Sequence, residues 1–135
     1  MKIEVNFTLD AGDANVDVKQ WNRDLQLEPT DSGQKGDVSK RGRGHVISNS
    51  YWTLALTRLD CDSVDKAVES LLKGVVVQSK RVRELVERHK LDCGVSAFVW
   101  LEEDEDTSDI DLYLNRRTVM MLSDLRADFA VRIYE

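Results

Sequence analysis

The sequence contains one proline, two cysteines and two histidines, and each scarcity excludes a class of protein. Cys61 and Cys93 lie far apart and lack the spacing of metal ligands, so neither a disulfide framework nor a metal site is expected. We interpret them as buried thiols of a cytosolic protein, with a disulfide or redox pair as the alternative. No cofactor is expected.

Long apolar segments are also missing. No window approaches the roughly 20 apolar residues that a membrane-spanning helix needs. Residues 1–6 lack the apolar core of a signal peptide. We therefore expect a cytoplasmic protein that does not contact a membrane.

A pattern typical of catalysis is absent as well. His45 and His89 have no neighbouring arrangement of nucleophile, base and orienting group. The two cysteines have apolar flanks, which argues against an activated thiolate. We predict no catalytic residues and no enzymatic activity.

Length and charge limit the remaining classes. A chain of 135 residues indicates one domain, residues 1–135. The net charge of −6 disfavours nucleic acid as a partner, because phosphate binding depends on clustered lysine and arginine. An acidic protein is suited to a basic protein partner.

Hydrophobic periodicity predicts alternating strands and helices. Strands are predicted at residues 2–9, 45–57, 92–102 and 127–134. A helix is predicted at residues 15–25. Two more helices are predicted after it, the first capped by Asp62 or Ser63 and the second ending at about Lys90. Asn115 is the predicted cap of the last helix.

This order predicts the α+β class. Two β-α-β halves of this kind build a four-stranded, mostly antiparallel sheet with helices on one face, the ferredoxin-like arrangement. The link between the halves is expanded here by the helical pair.

Short segments in a fixed order also carry a family resemblance. They are Leu27-x-Pro29, Lys35-Gly36-Asp37, the Trp52 strand, the Leu71-Leu72 helix, the Cys93/Val95 strand and Asp128-Phe129-x-Val131-x-Ile133-Tyr134. Over nearly the whole chain the sequence resembles the bacterial domain-of-unknown-function family DUF4279. The resemblance implies no particular activity. Small acidic bacterial proteins of this size include immunity proteins, which neutralise a toxin produced with them.

The connection from Leu25 to Trp52 holds the proline and four of the seven glycines. Its cations and exposed backbone amides favour an anionic small molecule, so it is a candidate ligand site. The residues that we assign to it are Lys35, Asp37, Arg41, Arg43 and Trp52. The alternative is a solvated loop with local turn contacts.

An acidic run follows the third predicted strand. Its carboxylates are those of Glu102, Glu103, Asp104, Glu105, Asp106, Asp109 and Asp111. They form a candidate surface for a basic protein. One alternative is a loop that only keeps the protein soluble. A cation site is less favoured, because the run lacks the glycine and the closing glutamate of an EF-hand loop.

Phe98 and Trp100 alternate with apolar residues on their strand, which predicts that both rings lie on the sheet face opposite the helices. Tyr134 is expected near them. Rings in this position can form a homodimer interface or lie under the 30–44 loop. They can also stack on nucleic-acid bases, but the negative net charge of the chain disfavours that alternative.

These observations favour a protein that works by binding. The leading hypothesis is a protein-binding inhibitor of the immunity type, which blocks a basic toxin domain with its acidic surface. The second hypothesis is an anionic-ligand module that uses residues 35–52.

Overall fold

The structure, a computed structural model, describes residues 1–39, 44–59 and 61–135. Its elements in chain order are β1 (Lys2–Asp10), α1 (Val18–Leu25), β2 (Asp31–Gly33), β3 (Tyr51–Leu59), α2 (Val64–Val76), α3 (Ser79–His89), β4 (Asp92–Trp100), α4 (Arg116–Leu125) and β5 (Asp128–Tyr134). A short 3-10 helix, Thr107–Asp109, lies between β4 and α4. The α+β class is therefore confirmed. None of the helices in the described ranges has the length and apolar character needed to cross a bilayer.

In the described residues the sheet has five strands in the order β2-β3-β1-β4-β5, so the prediction of four strands is wrong. The strand that was missed is β2, which pairs with β3 inside the long connection. The ferredoxin-like arrangement is not confirmed. In that arrangement a strand separates the two ends of each β-α-β half, whereas here β1 and β3 are antiparallel neighbours and β4 and β5 are parallel neighbours.

Side-chain alternation along the central strand β1 explains where the core lies. Ile3, Val5, Phe7 and Leu9 are buried, while the residues between them remain partly accessible. Trp52 of β3 shares this buried side, and its indole N–H donates to Asn22 Oδ1 of α1 at 2.9 Å. The helices α1, α2, α3 and α4 pack their buried residues into the core on this side of the sheet. We call the opposite side the open face.

The helices α1, α2 and α4 each begin where a polar side chain accepts from one of the first free amides, whereas α3 begins at Ser79 without a side-chain cap. Asp17, Ser63 and Asn115 cap α1, α2 and α4 respectively, so Ser63 rather than Asp62 starts the helical pair. The helix-start signals in the sequence were therefore accurate to a few residues.

The strand predicted at residues 45–57 begins later, at Tyr51. Residues before it form a different contact, because Val46 bridges to Val38 in an isolated antiparallel pair. The buried Ser50 then turns the chain into β3 by donating its amide to the Gly12 carbonyl at 3.1 Å.

Candidate functional site

Three aromatic side chains stack on the open face, near the ends of β4 and β5. Phe98 and Trp100 alternate along β4, and the parallel register sets Trp100 beside Tyr134. The Trp100 and Tyr134 ring centroids lie 5.5 Å apart, and those of Phe98 and Trp100 lie 6.2 Å apart. All three ring planes agree within 28°. We call these residues the ring cluster.

A cation lies over one edge of the ring cluster. Lys2 of β1 pairs in register with Trp100, and its Nζ is 4.6 Å from a Trp100 ring centroid. This cation–π contact stabilises the ammonium above the indole. The register also places Glu4 and Arg132 beside Phe98, one on each side.

The ring cluster is partly accessible, with Tyr134 41% exposed. The interpretation that the 30–44 loop covers these rings is not supported by its described part. Residues 31–33 form β2, which lies three positions from β4 in the sheet, and residues 36–39 pair with residues 45–47. Residues 40–43 lie outside the described ranges.

The acidic segment, residues 102–111, begins directly after Trp100 and Leu101 and therefore borders the ring cluster. Part of it is occupied by local structure. Glu105 accepts from the Glu102 amide at 3.1 Å, and one of its oxygens lies 2.8 Å from the N-terminal ammonium of Met1. Asp106 and Asp109 form a reciprocal capping box around the 3-10 helix.

Further along the acidic segment, Asp111 is also occupied. Its side chain accepts from the Tyr113 amide at 3.0 Å, and its backbone pairs with Ser63 beside the start of α2. This carboxylate therefore fixes a turn and joins the segment to the helical layer.

The local bonds change the acidity of two carboxyls. The hydrogen bond from the N-terminal ammonium holds the pKa of Glu105 below its usual range, and the Glu102 amide adds to this effect. The Ser108 hydroxyl and then the Ser108 amide hold the pKa of Asp106 below its usual range. Hydrogen bonds to the ionised form favour it over the protonated form. Both groups are therefore anionic at neutral pH.

Glu103 and Asp104 differ from these neighbours. Both side chains are exposed, and within the described ranges neither makes a hydrogen bond or an ion pair. Glu102 is also exposed, with one oxygen 3.8 Å from the N-terminal ammonium. These three carboxylates remain available to a partner at the border of the ring cluster.

The described residues assigned to an anion site, Lys35, Asp37 and Trp52, are not assembled around one space. Trp52 is fully buried in the core. Lys35 donates from Nζ to the Asp13 carbonyl at 2.6 Å, which fastens the loop to the turn after β1. Asp37 is exposed, while Arg41 and Arg43 lie outside the described residues.

A cleft of about 570 Å³ adjoins Asp37. It opens between β2, the first turn of α1 and the paired residues 36–39 and 45–47. Gln34 forms one wall, and its side chain accepts from the Val18 amide at 3.0 Å and donates to the Val16 carbonyl. Among the described residues, the charged side chains that line the cleft are Lys19, Asp31 and Asp37.

The thiols and imidazoles do not form a reactive group. Burial raises the pKa of Cys93 to about 12, and the Asp128 carboxylate adds to the rise. Cys61 is also buried, and both thiols are free. His89 packs against Trp21, with ring centroids 6.0 Å apart, and His45 is exposed. Across the described ranges, no group of histidine, cysteine and carboxylate side chains is arranged to hold a metal.

Sequence reasoning missed two parts of these sites. Lys2 joins the ring cluster only through its register with Trp100, which the sequence does not reveal. The cleft depends on Gln34 reaching α1, and no sequence motif indicates that contact.

Comparison with known proteins settles the family. The model for the family described as domain of unknown function DUF4279 matches residues 1–135. The chain belongs to the DUF4279 family. The match covers every element described above, so the five-stranded sheet and its helical layer lie within this DUF4279 domain. No curated protein and no solved structure matches the chain.

Proposed function

We propose that this DUF4279 protein works by binding a basic protein, as an inhibitor of the immunity type that blocks a toxin domain. The observation that carries the proposal is the shared position of the ring cluster and of Glu102, Glu103 and Asp104. Protein interfaces concentrate binding energy in central aromatic side chains, while a polar rim supplies specificity. The arrangement at the ends of β4 and β5 has both parts.

The charges around the rings favour a protein over a nucleic acid. Among the described residues, the register places the cations Lys2 and Arg132 beside the rings, and Lys2 is already engaged with Trp100. The register places Glu4 beside Phe98, and Glu102, Glu103 and Asp104 follow Trp100 within four residues along the chain. These carboxylates repel phosphates and attract lysine and arginine.

The proposal is tested by comparing two variants with equal changes of charge. E103K/D104K reverses the two unengaged carboxylates beside the rings. E84K/D124K reverses two exposed carboxylates on α3 and α4, away from the open face. Each variant, with the unaltered protein, serves as bait in extracts of the native host at low and moderate salt.

We expect a basic protein to be retained by the unaltered bait and by E84K/D124K, and to be lost with E103K/D104K. Y134A, which removes an exposed ring, should weaken retention too. Equal retention by all four baits would contradict this surface. The activity of the retained protein is then measured with and without the DUF4279 protein, and unchanged activity would contradict an inhibitory role.

The cleft beside β2 supports a second candidate, a small-molecule binding module. Its volume of about 570 Å³ lies within the range of ligand pockets. Among the described residues, two carboxylates and one ammonium line it, and their charge favours an amine or a zwitterion over an anion. A thermal-shift screen with free amino acids, diamines and sugar phosphates tests this. Stabilisation by an amine that D31N/D37N removes supports the module, and a flat response to all three classes counts against it.

A further inference from the structure

The strand β5 forms one edge of the sheet, and none of the described residues pairs with its outer side. Exposed edges recruit further strands unless they are short, are bulged, or carry proline or charged side chains. β5 has seven residues, in the sequence Asp-Phe-Ala-Val-Arg-Ile-Tyr, pairs with β4 in an unbroken register and has no proline, and its two charged side chains are of opposite sign. The opposite edge, β2, has three residues and is therefore a poor template.

The backbone of β5 presents its free groups at alternate residues. The Tyr134 carbonyl accepts from the Leu101 amide at 2.9 Å, so this residue faces β4. Since the N–H and C=O directions alternate along a strand, Ala130 and Arg132 face β4 too. Phe129, Val131 and Ile133 therefore direct their amides and carbonyls outward.

The side chains of β5 complement a second copy of themselves. Asp128 and Arg132 lie on the open face, four residues and thus about 13 Å apart along the strand. Both are exposed, and neither forms an ion pair with a described residue of its own chain. A second copy of β5 can pair with the first in the antiparallel direction, with the two Ala130 residues opposite each other. In this register each Asp128 lies opposite the Arg132 of the other copy, which gives two ion pairs.

That register also satisfies the backbone. It pairs Phe129 with Val131 of the second copy, and both residues direct their free groups outward. About four backbone hydrogen bonds form, and the half-buried Phe129 and Val131 side chains meet on the helix-covered side. A register centred on Val131 sets Asp128 opposite Tyr134 and leaves the charges unpaired.

We propose that two copies of this chain associate through their β5 edges, antiparallel and centred on Ala130, into one continuous ten-stranded sheet. The occupant of this edge is a second copy because the Asp128–Arg132 pairing is self-complementary. A two-fold axis through Ala130 stands perpendicular to the sheet, so both open faces point the same way. The association does not require the inhibitory function proposed above.

The test is sedimentation of the full chain at increasing concentration. We expect the unaltered protein to reach twice the 15.4 kDa chain mass. D128R sets arginine against arginine, and R132D sets aspartate against aspartate, so each variant alone should weaken association at least about tenfold. D124R, a reversal on the exposed surface of α4, is the matched control and should remain dimeric.

A mixture of the two variants tests the proposed register even if a single charge reversal destabilises the fold. D128R supplies two arginines and R132D supplies two aspartates, so the mixture should form a heterodimer. The double variant D128R/R132D should form a homodimer again. A monomeric unaltered protein at the highest attainable concentration overturns the proposal. Dimers that persist in both single variants, or a mixture that stays monomeric, overturn this interface.

Discussion

Asp65 is a buried carboxylate that connects α2 to the start of α4. It is 8% exposed, and its Oδ1 accepts from the Asn115 amide at 3.0 Å. Its Oδ2 accepts from Asn115 Nδ2 at 2.7 Å. Asn115 in turn caps α4 by accepting from the Thr118 amide at 2.9 Å. The helix that delivers the chain into β5 therefore depends on a carboxylate fifty residues earlier.

We expect D65A to lower the free energy of unfolding by about 2–4 kcal/mol. Each hydrogen bond to a charged group contributes about 1.5–3 kcal/mol, and water at the half-buried Asn115 replaces part of the loss. Unfolding entropy near 2.1 cal/mol/K per residue gives about 0.28 kcal/mol/K for this chain, so Tm should fall by about 7–14 °C.

Urea and thermal unfolding followed by circular dichroism measure this effect. N115S removes only the bond from Asn115 Nδ2 to Asp65, because serine still caps α4 and its backbone amide still reaches Asp65 Oδ1. It should cost less than D65A. D124A removes an exposed carboxylate from the same helix and serves as the control. A D65A protein within about 0.5 kcal/mol of the control would refute the reasoning, since surface changes stay within that range.

Three further predictions concern other elements. Because the Cys93 pKa is raised to about 12, iodoacetamide at pH 8 should label this thiol only on unfolding, and rapid labelling of the native protein would contradict its burial. The pKa of Asp106 is lowered in the folded state, so its contribution to stability is present above the ordinary carboxyl pKa and is lost as pH falls through the pKa of the folded state. S108A should raise the Asp106 pKa in an NMR titration. An unchanged titration midpoint would exclude the Ser108 hydroxyl as the cause of the lowered pKa. A Cβ at Gly33 would lie 2.9 Å from Tyr51 Cζ, so G33A should lower the free energy of unfolding in urea by about 1–3 kcal/mol. In a G33A/Y51A double variant the loss from G33A should be smaller, because the ring that the new methyl group meets is gone. Full additivity of the two losses would show that the ring is not the obstacle.

Periodicity predicted most of the elements because those elements bury one face. β1 and β4 alternate buried and accessible residues over nine positions each, and that alternation is visible in the sequence. β2 has the sequence Asp-Ser-Gly and buries only Gly33. It is a strand because Tyr51 of β3 packs on that glycine and because the preceding Thr30 bonds to β3. Those are tertiary contacts, which a local pattern does not contain.

The strand order was less predictable than the strands. A chain of alternating elements does not specify whether the ends of a β-α-β unit become neighbours or are separated by another strand. The outcome for β4 and β5 depends on how α4 packs, and α4 is positioned by the Asp65–Asn115 contact between distant segments. The ferredoxin-like expectation therefore followed the element order without the information that determines pairing.

The candidate surfaces show the same difference between what a local sequence pattern predicts and what depends on tertiary contacts. Alternation was enough to put Phe98 and Trp100 on one face, but their stacking with Tyr134 needed the parallel register of β5. For the acidic segment, composition gave the carboxylates but not their roles. Asp106 and Asp109 hold a 3-10 helix, whereas Glu103 and Asp104 stay unengaged within the described ranges.

The two proposed contacts lie on one sheet, and their geometry makes a joint prediction. Because the two-fold axis through Ala130 is perpendicular to the sheet, a dimer carries two ring clusters on the same side, at opposite ends of the β5 pair. Two clusters on one rigid sheet let a dimeric partner bind at both sites, which raises apparent affinity without any new contact.

Light scattering of the complex with the retained partner should therefore give two copies of each protein. D128R, which changes a residue six positions from Tyr134 along β5, should give a complex of one copy each, with weaker apparent affinity for a dimeric partner and unchanged affinity for a monomeric one. If D128R weakens binding to a monomeric partner as well, the partner also contacts the β5 edge at Asp128. The edge and the ring cluster would then be one surface.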